Sequence, residues 1–174
     1  MRSIGWGVTL LLVASGPASS QAQAPSRETP ETANVHKLST TLRPSGAKGL
    51  ACSEIGVETG DPATGRSIVV EKFAPGCTIP WHWHTPNEHV MMVSGTFRFQ
   101  MKGEKPVRVE RGDFVFMPSH HISQTTCIGP DSCIDFLYTD GPFDVHFVDE
   151  TGKEISLDQA LKNQKKALPH PKQN

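Results

Sequence analysis

Seven short runs rich in β-branched or aromatic residues, cut at close intervals by Gly, Pro and Asp, point this chain towards an all-β architecture. They are Arg66 to Phe73, His89 to Ser94, Thr96 to Met101, Val107 to Glu110, Phe114 to Met117, Ile134 to Tyr138 and Val145 to Val148. Between them stand Gly60-Asp61-Pro62, Ser94-Gly95, Lys102-Gly103-Glu104, Arg111-Gly112-Asp113 and Asp140-Gly141-Pro142, residues that favour turns. Strands this short with turns this frequent predict an antiparallel barrel or sandwich. One helix is expected, Ser156 to Lys166, where Ser156 and Gln159 have capping-box spacing and Leu157, Ala160 and Leu161 recur at helical spacing. Its expected role is to cover an edge or end of the barrel.

The richest chemistry lies in GCTIPWHWHTPNEHVMMVSG, Gly76 to Gly95. On a strand, residues two apart share a face and lie about 6.6 Å apart, so His82 and His84 can reach one ion while Trp81 and Trp83 face the other way. Thr85-Pro86-Asn87 reads as a turn that returns Glu88 towards the two imidazoles. Two neutral nitrogens and one anionic oxygen form a facial set with open positions, favoured by iron(II) and also suited to manganese, zinc, nickel or copper. Trp81 and Trp83 are expected to form an exposed apolar patch that the N-terminal segment or a second subunit of a homodimer would cover. Val90 and Met92 share the parity of Glu88, and Phe97, Phe99, Phe114, Phe116 and Phe136 are inward candidates.

The N-terminus predicts export. Met1-Arg2 precedes an apolar run from Ile4 to Ala14, short for a bilayer span and suited to a signal peptide, with cleavage expected after Ala22. The expected organisation is a signal peptide over 1–22, a flexible segment over 23–46 with a short edge strand at Val35 to Leu38, a barrel over 47–150, and a C-terminal helix and tail over 151–174. The 17 basic and 18 acidic residues become 16 and 18 once Arg2 is removed, so no nucleic-acid partner is expected, and none in the membrane after cleavage. A periplasmic or secreted location permits disulfides. Turn residues between Cys127 and Cys133 favour their pairing across a hairpin, which leaves Cys52 with Cys77 by elimination.

Residues 76 to 95 reproduce G-x5-H-x-H-x3-E-x6-G, and on that motif the chain resembles the cupin superfamily, as a small secreted bacterial single-domain member. The resemblance implies a cupin-type double-stranded β-helix (jelly-roll) barrel and a metal held by His82, His84 and Glu88. Gly112, Asp113 and Pro118 match the start of a second cupin motif, G-x5-P-x-G-x2-H, while His120 replaces its glycine and Ser123 its histidine. His121, two residues before Ser123, is the candidate replacement ligand. The alternative is a three-ligand ion with Ser123 holding a bound water.

The expected activity is that of a metal-dependent oxidoreductase of the dioxygenase type acting on a small organic molecule, with lyase or isomerase chemistry as the nearest variants. Glu88, the ligand most easily exchanged for a proton, is the catalytic candidate. A non-catalytic extracytoplasmic protein that binds a small molecule or the metal is the alternative. Tyr138 would contribute as an acid or base only if it faced the ion, and His146 is a weaker candidate for the pocket wall.

Overall fold

The computed structural model describes residues 35–45 and 50–167; the expected signal peptide, most of the N-terminal segment and the last residues of the tail lie outside them. A helical turn α1 (Leu38–Thr41) leads into β1 (Arg43–Pro44), β2 (Ser53–Gly60) and β3 (Ser67–Phe73). There follow β4 (Thr78–Trp83), β5 (Glu88–Ser94), β6 (Thr96–Met101) and β7 (Val107–Glu110). The chain continues through β8 (Phe114–Met117), β9 (Ser123–Ile128), β10 (Cys133–Thr139) and β11 (His146–Phe147) to α2 (Leu157–Ala167). The edge strand expected at Val35 to Leu38 is not formed: the chain turns helically from Leu38, and the edge pairing is made by Arg43 and Pro44 against Ile55 and Glu54.

Two antiparallel sheets result, ordered β1-β2-β3-β10-β5-β8 and β11-β4-β9-β6-β7. From β3 to β6, and again from β7 to β11, each strand lies in the opposite sheet to its predecessor, so the chain winds around the barrel instead of building one sheet at a time. That winding is the double-stranded β-helix, and the inner faces of the two sheets meet in an apolar core. Phe73 from one sheet meets Phe97 from the other edge to face at 5.5 Å, a favoured aromatic geometry. Leu157 and Leu161 of α2 pack against the same core, and Ser156 Oγ accepts the Gln159 backbone N–H at 3.3 Å as the helix cap. Gln159 bonds Asn163 instead of reaching back to the cap, so only half of the capping box forms.

Outside the seven runs, β4 is the strand that carries His82, and β2 and β9 are the other substantial strands. Ser53–Gly60 carries two glutamates and two glycines, and Ser123–Ile128 alternates small polar residues with few large apolar ones, so neither has a strong strand composition.

Cross-strand register decides which aromatics are inside. Glu88 pairs with Met117 and Val90 with Val115, and directly opposed residues share a face. Val115 and Met117 therefore point inward, and Phe114 and Phe116 outward, 58% and 48% exposed. Phe136 alternates with buried Asp135 and Leu137 and lies on the outer face too. Of the five expected inward phenylalanines, only Phe97 and Phe99 are buried.

Both disulfides join the two sheets. Cys127 of β9 bonds Cys133 of β10, and Cys52, just before β2, bonds Cys77, just before β4. The backbone N–H of Cys127 also donates to Cys77 O at 2.8 Å, so the two bridges stand side by side at one end of the barrel. Gly95 closes the β5–β6 turn there at φ 76°, where a Cβ would come within 2.6 Å of Ser132 O.

Candidate metal site

β4 delivers His82 inward, His84 follows just beyond its end, and Glu88 opens β5; they are 3%, 8% and 2% exposed. The Thr85-Pro86-Asn87 turn between them is held from outside. Thr85 N–H donates to Asp144 Oδ1 at 2.7 Å, and the Asn87 backbone and side-chain N–H groups donate to the Asp140 carboxylate at 2.9 and 2.6 Å. Ser119 Oγ closes the other side by donating to Thr85 O at 2.6 Å. These anchors set the short return that brings the Glu88 carboxylate back to the imidazoles, with His84 Nε2 and Glu88 Oε1 3.3 Å apart.

Hydrogen bonding assigns the tautomers. His82 Nδ1 lies 2.7 Å from Pro80 O, and His84 Nδ1 bonds Asp144 O. A carbonyl can only accept, so both rings carry their proton on Nδ1 and present an Nε2 lone pair. Burial pushes His82 down to about 4, and burial with the neighbouring His82 pushes His84 down to about 3, so both are neutral at pH 7. Burial first, then Glu71 and Asp144, hold the Glu88 carboxyl well above the usual range. Its Oε2 is buried without a hydrogen-bond partner.

Two neutral nitrogens with their other N–H pinned to backbone carbonyls are a feature of metal-ligating histidines. Two donors each about 2.1 Å from one ion and at right angles lie about 3 Å apart, comparable with the His84–Glu88 spacing. A cation would also satisfy the orphaned Glu88 oxygen and meet the His84 Nε2 lone pair beside it. The residues fit a divalent ion on these grounds. Among the described residues no three His, Cys, Asp or Glu side chains already close on one point at coordination distance.

The other candidates differ in their placement. His121 is exposed, follows Pro118 in a turn, and does not line the cavity that holds His82, His84 and Glu88. Ser123 is 1% exposed, pairs in register with His82, and turns its hydroxyl to Met117 Sδ at 3.3 Å. His120 has φ 61°, the left-handed conformation that makes glycine usual at that place. Its N–H donates to His84 O at 2.8 Å, and its ring stacks on Trp83 at 4.5 Å. Trp83 is not a bare indole, since His146 covers its opposite face at 3.8 Å. His146 also lines the cavity and makes 3.3 Å ion pairs to Asp144 and Glu154. Tyr138 pairs with His89 on the outer face and is remote from the cavity.

The cavity holds about 880 Å³ and is walled by Phe73, Phe97, Phe99, Val90 and Leu137. Two acids in it, Glu71 and Asp135, were not among the sequence candidates. Asp135 is 2% exposed, and it faces Glu71 directly across β10 and β3. Burial raises Glu71 to about 7; burial, then Glu71 and Glu88, raise Asp135 well above its usual value. The signal was present in the sequence as one acid inside each of two apolar runs, SIVVEKF and CIDFLYT.

Comparisons with known proteins agree with this architecture. Residues 69–134 match the family described as Cupin domain, a segment that contains Glu71, His82, His84 and Glu88. The polyketide cyclase RemF from Streptomyces resistomycificus superposes with a TM-score of 0.63 at 15% identity, over 80% of this chain and 95% of that one. An RmlC-like cupin from Ralstonia eutropha gives 0.57 at 20% identity, over 82% and 93%. A structure of the DMSP lyases RdDddP and RnDddQII gives 0.51 at 19%, over 67% and 61%. No curated protein matches. At these identities the likeness establishes the cupin fold, which hosts more than one chemistry.

Proposed function

We propose that this cupin-domain protein is an extracytoplasmic, metal-dependent enzyme for a small, partly apolar organic molecule, with a dioxygenase-type oxidoreductase as the leading reaction class. The supporting observation is a pair of buried histidines, each with Nδ1 pinned to a carbonyl, beside the unpartnered Glu88 Oε2 in an apolar cavity. His82, His84 and Glu88 would hold the metal. A divalent ion there would supply a Lewis acid and, if it were iron, manganese or copper, also electrons for dioxygen chemistry. His82 and His84 keep their Nε2 lone pairs aimed by the carbonyls of Pro80 and Asp144. Glu88 could exchange the ion for a proton, since burial favours its neutral form when no cation is present. Phe97 and Phe99 exclude water from that side of the cavity. Lyase or isomerase chemistry would use the same proton transfer at Glu88.

A binding protein without turnover is favoured by one observation, the exposure of His121, which leaves only His82 and His84 beside Glu88 as candidate nitrogen ligands. Two disulfides support an oxidising compartment outside the cytoplasm. Metal analysis of protein from the exporting host, followed by oxygen uptake with candidate small molecules, tests the reading. A bound redox metal with substrate-dependent oxygen consumption supports it. Saturable ligand binding without turnover selects the binding protein, and absence of metal affinity overturns both metal-based forms.

A further inference from the structure

The cavity is chemically one-sided. Six carboxylates line it, those of Glu71, Glu88, Asp135, Asp144, Glu154 and Asp158, and among the described residues no lysine or arginine does. Asp144 and Glu154, near the mouth, are paired with His146, and Glu88 belongs to the metal set. Glu71 and Asp135 have neither arrangement. Among the described residues no side chain forms an ion pair with either, and Asp135 Oδ1 is buried without any hydrogen-bond partner.

Two carboxylates directly opposite on adjacent strands repel each other, and burial increases that cost. Among the described residues no cationic side chain offsets it. On the same face, Glu71 is opposite Ile55 of β2 and Asp135 opposite Met92 of β5, while Phe73 and Leu137 stand two residues along. A second metal ion would need several further oxygen ligands that these neighbours lack. An alkylammonium group needs only acceptors and accepts an aromatic face, such as that of Phe73, as part of its surroundings.

We propose that Glu71 and Asp135 form a subsite for the ammonium group of a small amine, whose apolar body lies along the phenylalanine wall towards Glu88. This deepens the proposed function and rests on its reading of the cavity as the ligand pocket. It also selects against anionic ligands, which would meet six carboxylates. Because Glu71 is raised to about 7 and Asp135 well above its usual value, amine binding near neutral pH is accompanied by proton release.

The test uses two probes of equal apolar body, 2-phenylethylamine and 3-phenylpropanoate, titrated by calorimetry into full-length exported protein at pH 8 after chelator treatment. The amine is expected to bind at least ten-fold more tightly than the carboxylate. Glu71→Gln with Asp135→Asn should remove that preference while leaving metal affinity in place. Glu71→Gln alone should weaken amine binding at least several-fold, and it keeps the test intact if the double variant does not fold. Equal affinity for the two probes, absence of amine binding, or a preference that survives both substitutions overturns the proposal. So does a second equivalent of manganese(II) that is lost in the double variant. Metal binding without amine preference rejects the subsite alone, whereas amine preference without metal binding rejects the metal reading and retains the subsite.

Discussion

Glu88 faces opposite demands with and without a cation, and substitution should separate them. Glu88→Gln removes the anionic ligand and is expected to weaken metal affinity by more than ten-fold in chelator competition. Without metal the same change should raise thermal stability increasingly as the pH rises, because burial disfavours the charged carboxyl that glutamine replaces. His121→Ala should leave metal affinity within about two-fold, since His121 is exposed and outside the cavity; a loss near the 10- to 100-fold range would return it to the ligand set. Ser123→His, beside His82 in register, is expected to tighten binding. The histidines also set an acid limit on the metal-free protein. Their folded values of about 4 and about 3 lie below the unfolded 6.5. Their contribution to stability is therefore present above pH 6.5 and lost as the pH falls towards 3, which acid titration followed by tryptophan fluorescence would register.

At the scale of elements, the β3–β10 pair carries a cost that depends on pH in the other direction. Glu71 is raised from 4.5 to about 7, so the folded protein favours its protonated form, and stability should fall as the pH rises from 4.5 to 7. Glu71→Gln should flatten that slope in denaturant melts between pH 5 and 8; an unchanged slope would show that Glu71 does not set it. The two bridges between the sheets differ in the length of chain they close. Cys52–Cys77 spans 25 residues and Cys127–Cys133 spans 6. Loop-closure entropy predicts that Cys52→Ser/Cys77→Ser costs about 3 kcal/mol and Cys127→Ser/Cys133→Ser about 2 kcal/mol. Guanidinium melts of the two double variants check that order. Strand boundaries were legible where β-branched and aromatic residues dominate, as in Thr96–Met101, Val107–Glu110 and Phe114–Met117. They were not legible in β2 and β9, whose residues join strands through their neighbours and not through their own preference.

For the whole molecule, the proposed export would couple to folding through the four cysteines, which form two disulfides. Protein recovered from an exporting host is expected to begin at Gln23 and to hold no free thiol, which intact-mass analysis with thiol labelling reads directly. The same chain produced in a reducing compartment should unfold at lower denaturant, because both ties between the sheets are then absent. The exposed apolar surface lies elsewhere than the alternation around Trp81 and Trp83 suggests. It is carried by Met91, Val93, Phe114 and Phe116 on the outer face of β5 and β8. Trp83 is covered by its two histidines.

The alternation of residue types, the turn residues, the spacing of His82, His84 and Glu88, and the even cysteine count are local properties, and the sequence by itself determined what followed from them. A barrel, the meeting of His82, His84 and Glu88 in one cavity and both disulfides are of this kind. Which face a strand shows to the core is not local, because period-two alternation defines two faces without saying which is inside. Pairing of β8 with β5 turned Phe114 and Phe116 outward, and pairing of β10 with β3 placed Asp135 against Glu71 in the cavity. His121 departs from the site for a related reason. The parity that linked it to Ser123 holds only within a strand, and β9 begins at Ser123, after the left-handed His120 has redirected the chain.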